Sequence, residues 1–372
     1  MLKKNHFPKY ATALIIFSLL LSCSKTKLTT TNNVGTGIID SNTRVFLPNN
    51  GYLSPNYYAF SAICLDKNNN KWLIGSDGIY EFDGTSWSMF ISSNTPGLVN
   101  FYPRRILCGN DGTLYFVGGY SVNGVDMTPT MVVYKNGTWT PYTLPFVPDV
   151  FQIDGSTGSL YFLSRYAGLT PINRIYKYDN VGSFSDTANY SSIEFGVYNA
   201  KDFNVFNDTL FVSINQAEFG YSVDSNQFAI LVQSPNGNRV INNYPDSTLS
   251  VEFHTIARGN GEDIIMCGLA HWWDPLNGHT QPDLFNFDGG TWTTIPIPSS
   301  ISITPGFGVK YSTDGTLWIA SGSGLTKYIN QTFTSYTINI PYGGSVSDFV
   351  IDDNNVKWIA SWNSGLIAYK VQ

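Results

Sequence analysis

The stretch LDKNNNKWLIG at residues 65–75 decides the fold, because a polar turn separates two apolar strands there. Residues 313–320, TDGTLWIA, and residues 352–360, DDNNVKWIA, repeat the arrangement. Weaker copies lie between them, and the anchor residues, 40 to 54 positions apart, are Trp72, Tyr115, Tyr161, Phe211, Ile265, Trp318 and Trp358. A repeat of this length with several short strands per unit is typical of one β-propeller blade.

Each unit is expected to contain four short antiparallel strands. In the first unit the strand-like segments are 61–65, 71–76, 78–83 and 86–91, separated by turns rich in Gly, Asn and Asp. These residues accept the positive φ angles of tight hairpin turns, so each unit is a meander. The second strands, such as 114–118, are almost continuously apolar. That pattern indicates a sheet covered on both faces, as stacked blades would cover it.

The two ends of the chain complement each other. The last unit stops after a third strand at 365–370, whereas residues 43–47 form a strand-like stretch followed by a polar turn. A strand at 43–47 would complete the last blade and remove the open sheet edges that promote aggregation. The sequence therefore predicts an all-β, seven-bladed β-propeller with four-stranded antiparallel blades over residues 41–372, its ring closed by an N-terminal strand.

Three of the units carry a recognisable motif. Residues 72–84, WLIGSDGIYEFDG, resemble the two-component regulator propeller repeat, W-I-G-T-x-x-G-L-x-x-F/Y-D-G, and residues 318–328 and 358–369 resemble it as well. In that family such propellers usually form the periplasmic sensor part of hybrid histidine kinases and sense glycans. The resemblance implies the fold and a ligand class. We expect a stand-alone lipoprotein here, lacking kinase domains.

The amino-terminal segment has the pattern of an export signal. Three lysines precede an apolar stretch at 11–21, which ends in Ser22 and Cys23. This resembles a lipoprotein signal peptide at residues 1–22, with lipidation of Cys23 and a flexible, polar tether at 23–40. The alternative is an ordinary cleaved secretory signal in which Cys23 is incidental. We expect a lipid-anchored protein of the cell envelope, at the outer membrane, facing the periplasm or the exterior.

Charge and cysteine content restrict the partners further. The net charge is −6, and removal of residues 1–22 takes away three lysines. Nucleic acid is therefore not expected as a partner, because its phosphates require a basic surface. Cys64 and Cys108 lie one position apart in repeat register, so their side chains should point to opposite sides of their sheets. Free thiols are expected, with a disulfide as the alternative.

A binding surface is predicted where strand two leads into strand three. Units two to five lengthen this connection, at 119–130, 165–173, 216–226 and 269–282, and per-repeat insertions commonly mark a binding face. The candidate ligand-binding residues are Tyr120, Arg165, Tyr166, Phe219, Tyr221, His271, Trp272, Trp273 and His279, with Trp362 in a short loop of the last unit. Aromatic rings stack on sugar rings while polar neighbours bind hydroxyl groups. The alternative is that these residues pack the insertions against one another.

Metal or acid–base chemistry is not expected. His254, His271 and His279 fall in one unit near Asp274 and Asp283, but without the spacing of metal ligands. Lyase propellers similar to streptogramin lyase use histidine, a carboxylate and a metal near the channel. A site of that kind would draw groups from several blades. We therefore predict no catalytic residues, no metal and no cofactor.

The sequence favours a non-catalytic, membrane-anchored ligand-binding or sensing propeller, whose partner is a glycan or other extracellular ligand. One alternative is a protein-assembly scaffold at the outer membrane or cell surface, using the same face for a protein partner. Another is a propeller enzyme of lyase or hydrolase type.

Overall fold

The computed structural model of the chain describes most of the repeat region. The described residues are 37–48, 59–122, 126–167, 170–178, 184–189, 199–215, 229–234, 237–241, 250–258, 264–271, 280–287, 291–301 and 308–371. The predicted signal peptide and Cys23 lie outside them. Within the described residues no helix is long and apolar enough to cross a membrane.

The described elements are almost entirely β-strands. In chain order they are β1 (Gly37–Ile38), β2 (Thr43–Phe46), β3 (Phe60–Leu65), β4 (Lys71–Gly75), β5 (Ile79–Phe82), β6 (Trp87–Phe90), β7 (Phe101–Cys108), β8 (Leu114–Val122), β9 (Asp126–Lys135), β10 (Thr138–Thr143), β11 (Val150–Ile153), β12 (Leu160–Ala167), β13 (Thr170–Tyr178), β14 (Phe184–Asn189), β15 (Asn199–Phe206), β16 (Thr209–Asn215), β17 (Ala229–Ser234), β18 (Gly237–Ile241), β19 (Ser250–Arg258), β20 (Ile264–His271), β21 (Thr280–Phe287), β22 (Trp292–Pro296), β23 (Val309–Tyr311), β24 (Leu317–Ser321), β25 (Gly324–Ile329), β26 (Thr332–Thr337), β27 (Ser345–Ile351), β28 (Lys357–Trp362) and β29 (Gly365–Tyr369). Single 3-10 turns lie at Pro96–Leu98 and Pro341–Gly343.

The strands form antiparallel meanders of the predicted kind. Six four-stranded sheets follow one another, β3–β6, β7–β10, β11–β14, β15–β18, β19–β22 and β23–β26. We call them blades 1 to 6, and we call the remaining sheet, ordered β1-β2-β29-β28-β27, blade 7. The first strand of every blade contributes residues to the lining of one cavity. The chain is an all-β propeller with four-stranded antiparallel blades, whose first strands lie innermost.

The earliest and the latest described strands meet in blade 7. β2 pairs with β29 from Thr43 opposite Tyr369 to Phe46 opposite Leu366, as the sequence predicts. A further short strand, β1, pairs with β2 and lies within the segment expected as tether. β27 and β28 in turn pack against β3 of blade 1. The seam between blade 7 and blade 1 is therefore closed by hydrogen bonds and side-chain packing.

Tryptophans recur at two repeat positions, the anchor in the second strand and a position in the fourth strand, and recurrence at equivalent positions predicts that they pack between the sheets. Among the described side chains, those buried at these positions are Trp72, Trp87, Trp139, Trp318 and Trp358. The turn before the anchor fixes two of them. Asp66 Oδ2 accepts a hydrogen bond from Trp72 Nε1 at 3.1 Å, and Asp352 Oδ2 accepts one from Trp358 Nε1 at 2.8 Å. The other oxygen of Asp352 accepts the backbone N–H groups of Asn354 and Val356, both at 2.9 Å. One carboxylate thus holds both the turn and the buried indole.

Blade 6 departs from this arrangement. Ser312 stands where blades 1 and 7 have aspartate, and its hydroxyl donates to Asp314 instead. Among the described residues, Trp318 Nε1 has no hydrogen-bond partner although it is buried. Burying an unpaired N–H group costs free energy, so this blade lacks a stabilising contact that its neighbour has.

Replacing Asp352 should separate this contact from the general effect of a lost charge. We expect Asp352→Ala to lower the free energy of unfolding by about 2–4 kcal/mol, because it leaves Trp358 Nε1 buried and unpaired. Asp353→Ala, next in sequence and exposed, should change it by less than about 0.5 kcal/mol. Denaturant unfolding of both variants measures the difference. Equal values for the two would show that the indole bond contributes nothing.

The expectation of free thiols at Cys64 and Cys108 is wrong. The two residues form a disulfide with a Cα–Cα distance of 6.0 Å, joining blade 1 to blade 2. The error lies in the argument from register. Stacked sheets meet through opposite faces, so side chains that point to opposite sides of their own sheets face each other across the interface. Cys64 accordingly packs in the same cluster as Ile106 and Phe116 of blade 2.

The disulfide predicts a stability that depends on reductant. Replacing Cys64 and Cys108 together by Ala should lower the free energy of unfolding by about 2–4 kcal/mol, since the bond closes a long loop. Reductant should destabilise the natural chain and leave the double variant unchanged. Thiol titration of unfolded, unreduced protein is the second measurement. Reaction of both cysteines there would contradict the bond.

Buried lysines stack on the tryptophans of the preceding blade. Lys71 Nζ lies 4.1 Å from the centre of the Trp358 ring, and Lys357 Nζ lies 3.9 Å from that of Trp318. Lys357 also donates to the backbone and side-chain oxygens of Asn355, both at 2.9 Å. Burial lowers the pKa of Lys357 to about 8, against the opposing effect of nearby carboxylates. Each of two interfaces, between blades 6 and 7 and between blades 7 and 1, therefore contains a cation–π contact of the same kind.

Lys357 should make stability rise with pH. Its pKa is about 8 in the folded chain and ordinarily 10.5, so between these values the unfolded chain binds the proton that the folded chain has released. We expect the natural chain to gain stability relative to Lys357→Met between pH 7 and pH 9.5, measured by denaturant unfolding. The control is Lys370→Met, an exposed lysine. Parallel pH profiles for the natural chain and Lys357→Met would contradict the lowered pKa.

Candidate functional site

The two faces of the propeller differ in what they carry. We call the face where first strands begin and second strands end the upper face, and the face with the turns between first and second strands the lower face. Contacts between neighbouring blades tie the lower face together. Asn110 Nδ2 donates to Gly155 O at 3.0 Å, and the Asp208 backbone N–H donates to Asp154 Oδ2 at 2.8 Å. These contacts make the lower face a structural one.

The same face holds a cluster that combines an aromatic ring with an ion pair. Asp208 Oδ1 accepts hydrogen bonds from Tyr161 Oη at 2.6 Å and Lys177 Nζ at 2.8 Å. Burial, followed by the bond to Asp208, raises the pKa of Tyr161 to about 12. All three groups are engaged with one another across blades 3 and 4. Their arrangement serves interface stability.

Where the structure describes them, the predicted insertions of blades 2, 3 and 5 on the upper face are strand instead of loop. In blade 2, β8 and β9 stay paired as far as Val122 opposite Asp126. In blade 5, β20 and β21 stay paired as far as His271 opposite Thr280. In blade 3 the pairing resumes beyond a register shift between Ser164 and Tyr166. The second strands extend further than the apolar pattern predicts, because polar residues beyond the buried part can still pair in an antiparallel hairpin. The blade 4 insertion lies outside the described residues.

The sequence-predicted site residues distribute over these hairpins and beyond. Tyr120 lies in β8, Arg165 and Tyr166 lie in β12, and His271 ends β20. Only the strand positions of these four are described, not their side chains. Five further candidates lie outside the described residues, namely Phe219, Tyr221, Trp272, Trp273 and His279. Trp362 ends β28 with 53% of its surface exposed. Their participation in a common site stays a prediction.

Sequence reasoning missed a second exposed ring on the upper face. Tyr102, near the start of β7, is 51% exposed, and Val99 and Val147 nearby in the interblade connections are exposed as well. Connections from one blade to the next emerge on the same face as the insertions, so exposed aromatic residues are equally expected beside them. Tyr102 lines a small cavity of about 150 Å³ together with Asp77, whose Oδ1 accepts a bond from Tyr80 Oη at 2.7 Å.

A much larger cavity of about 1030 Å³ lies at the centre of the ring. Its lining is mostly polar, and the charged members are Arg104, Arg105, Asp149, Asp202, Lys310 and Asp348. A concave site of this size that combines apolar and convergent polar groups is the usual form of a ligand site. Lys310 Nζ lies 3.7 Å from Asp348 Oδ1, joining blades 6 and 7.

Two of the cavity carboxylates bind backbone groups of the next blade. Asp202 Oδ2 accepts the N–H of Ile256 at 2.9 Å, and Asp348 Oδ2 accepts the N–H of Ile63 at 3.2 Å. In each case the other oxygen accepts the N–H of the residue that follows. The carboxylates therefore connect neighbouring first strands.

The described residues offer no metal centre. No group of three or more His, Cys, Asp or Glu side chains among them could hold a metal ion. The side chains of His254 and His271, and the whole of His279, are not among those described.

Comparisons with known proteins place the fold. No protein-family model and no curated protein matches this sequence. Among solved structures, virginiamycin B lyase from Staphylococcus aureus is similar with a TM-score of 0.60 at 14% identity, over 86% of this chain and 96% of the lyase. YCF48 from Cyanidioschyzon merolae is similar with a TM-score of 0.57 at 13% identity, over 85% of this chain and 97% of that one.

Extracellular domains of two component systems are similar too. The extracellular domain of a putative hybrid two component system from B. thetaiotaomicron has a TM-score of 0.56 at 16% identity, over 86% of this chain and 39% of that domain. At these identities the similarity establishes the propeller fold alone. The similar structures include a lyase, and YCF48 has also been solved bound to a peptide, so the fold serves several functions.

Proposed function

We propose that this chain is a non-catalytic, lipid-anchored propeller of the cell envelope that binds an extracellular ligand, a glycan, on its upper face. The observation that carries the proposal is the position of Trp362 and Tyr102, two rings more than half exposed on that face. Among the described residues few large apolar side chains are exposed at all. Rings in such positions provide stacking surfaces for sugar rings.

The fold supports the proposal through rigidity. We infer a closed ring of seven blades, since seven first strands line the central cavity and β2 pairs with β29. The upper-face hairpins are then held on a rigid frame, which limits the entropy lost on binding. The predicted residues Tyr120, Arg165, Tyr166, Phe219, Tyr221, His271, Trp272, Trp273 and His279 would form the raised part of this surface.

The envelope location rests on two independent features. The amino-terminal segment has the pattern of a lipoprotein signal ending before Cys23. The disulfide between Cys64 and Cys108 is of a kind that persists in oxidising compartments outside the cytoplasm. The similarity to extracellular domains of two component systems favours a sensor role.

A protein-assembly scaffold is the second candidate. The similarity to YCF48, which has been solved bound to a peptide, favours it. Such a partner would use the same exposed apolar residues of the upper face. Copurification from detergent-solubilised membranes separates the two functions, because a stoichiometric protein partner supports the scaffold. Turnover assays with and without chelator test the third candidate, an enzyme of lyase or hydrolase type.

Saccharide binding should depend on the upper-face aromatics. We expect Trp362→Ala and Tyr102→Ala each to weaken binding about tenfold, because each removes one stacking surface, and Trp272→Ala with Trp273→Ala to weaken it further. Glycan-array screening followed by calorimetry provides the measurement. The matched control is Phe206→Ala, since Phe206 is also exposed but lies at the lower end of β15. Binding that survives every upper-face substitution, or falls equally with Phe206→Ala, would refute the proposal.

A further inference from the structure

Each first strand has one residue at the same repeat position, and six of these seven residues line the central cavity. Each lies opposite the second-strand residue two positions after the repeat anchor, and the seven residues are Ala62, Arg105, Val150, Asp202, Thr255, Gly308 and Asp348. The charged members can be compared directly because they share a position in the repeat.

Asp202 and Asp348 have a structural role at this level. Each carboxylate accepts the N–H group of an isoleucine in the next blade, Ile256 or Ile63, and the N–H group of its own successor. Their oxygens are thereby used within the ring. A positively charged side chain at the same position cannot take over this role, because a guanidinium only donates hydrogen bonds.

Arg105 occupies that position in blade 2. The pairing of β7 with β8 shifts register between Pro103 and Arg105, and both Arg104 and Arg105 line the cavity with exposed side chains. Arg104 and Asp149 each have interactions of their own. Within the described part of the chain, no hydrogen bond or ion pair of the Arg105 guanidinium is found. Arg105 therefore does not have the interblade role of its counterparts in blades 4 and 7.

Among the described residues that line the cavity, Arg105 is a cation without an assigned partner. Lys310 lies within ion-pair distance of Asp348, and the oxygens of Asp202 bind backbone groups. An arginine is planar and offers paired donors that fit a carboxylate in bidentate fashion. In a protein of net charge −6, a cation retained in a central cavity selects anionic groups locally.

We propose that Arg105 binds the carboxylate of an acidic ligand in the central cavity. Given the glycan ligand of the proposed function, on which this inference rests, the ligand is a saccharide that contains a uronic acid. The carboxylate enters the cavity beside β7, while neighbouring sugar rings extend toward the exposed aromatics of the upper face. The cavity volume of about 1030 Å³ accommodates several sugar units.

The experiment compares Arg105→Asp with a distant substitution of equal charge change. Arg105→Asp introduces the residue that blades 4 and 7 carry at this level, so the fold should be retained. Lys370→Asp, at an exposed position after β29, is the control. Calorimetry on the full chain uses trigalacturonate, a neutral galacto-oligosaccharide of the same length, and sodium sulfate as probes. We expect trigalacturonate to bind at least about tenfold more weakly to Arg105→Asp than to the natural chain or Lys370→Asp.

Each outcome decides between the two proposals. Equal affinity of all three chains for trigalacturonate overturns the role of Arg105. Sulfate that binds the natural chain as tightly as trigalacturonate overturns it as well, because the site would then hold an adventitious ion only. Binding of the neutral oligosaccharide alone, sensitive to Trp362→Ala, overturns the acidic ligand and leaves the proposed function intact. Absence of binding by any saccharide overturns both. If Arg105→Asp unfolds, judged by circular dichroism, Arg105→Gln takes its place in the same comparison.

Discussion

Face-to-face packing of neighbouring sheets is the constraint on which this structure depends. A blade has no core of its own, so its second strand must be covered on both sides by other blades. Leu73 and Ile74 are both buried although they point to opposite faces of β4. Leu73 packs in a cluster with blade 7, and Ile74 packs in a cluster with blade 2. The ring must therefore close, because an open end would leave one such face in water.

The two faces differ in the use of their polar and aromatic side chains. On the lower face, carboxylates such as Asp66 and Asp352 bind the anchor indoles, and interblade hydrogen bonds connect neighbouring turns. These groups are satisfied within the fold. On the upper face, Trp362 and Tyr102 are exposed, and inside the cavity Arg105 departs from the role of its repeat counterparts. Residues that break the repeat without serving the fold are the ones to examine for function.

The sequence predicted the features that follow from the local pattern of a single repeat unit. The anchor Trp72, the strand at β2 and the buried recurring tryptophans follow from local pattern and repeat register. It misjudged features that depend on two units at once. The Cys64–Cys108 bond depends on how adjacent blades stack. The opposite side-chain directions of the two cysteines in their own sheets were taken to exclude a bond, although side chains at the interface of two stacked sheets must point in opposite directions.

Other parts of the site could not be derived from sequence. The long hairpins beyond the buried blades carry no hydrophobic alternation, so their pairing gave no signal. Arg105 lies beside a register shift in β7, and such a shift changes which side chains line a cavity without changing composition. Tyr102 could have been found, because it lies at the start of β7, directly after an interblade connection on the upper face.

The pairing of β2 with β29 has a kinetic consequence. Thr43 meets Tyr369, so the contact that completes blade 7 spans almost the whole chain. During synthesis β2 emerges early, but it can pair only when β29 is present. High contact order of this kind slows folding, and blade 1 keeps one sheet face uncovered until blade 7 is present. The order of events is thus imposed by topology: the seam closes last, and blade 7, which combines β2 with the last three strands, is the final unit to form.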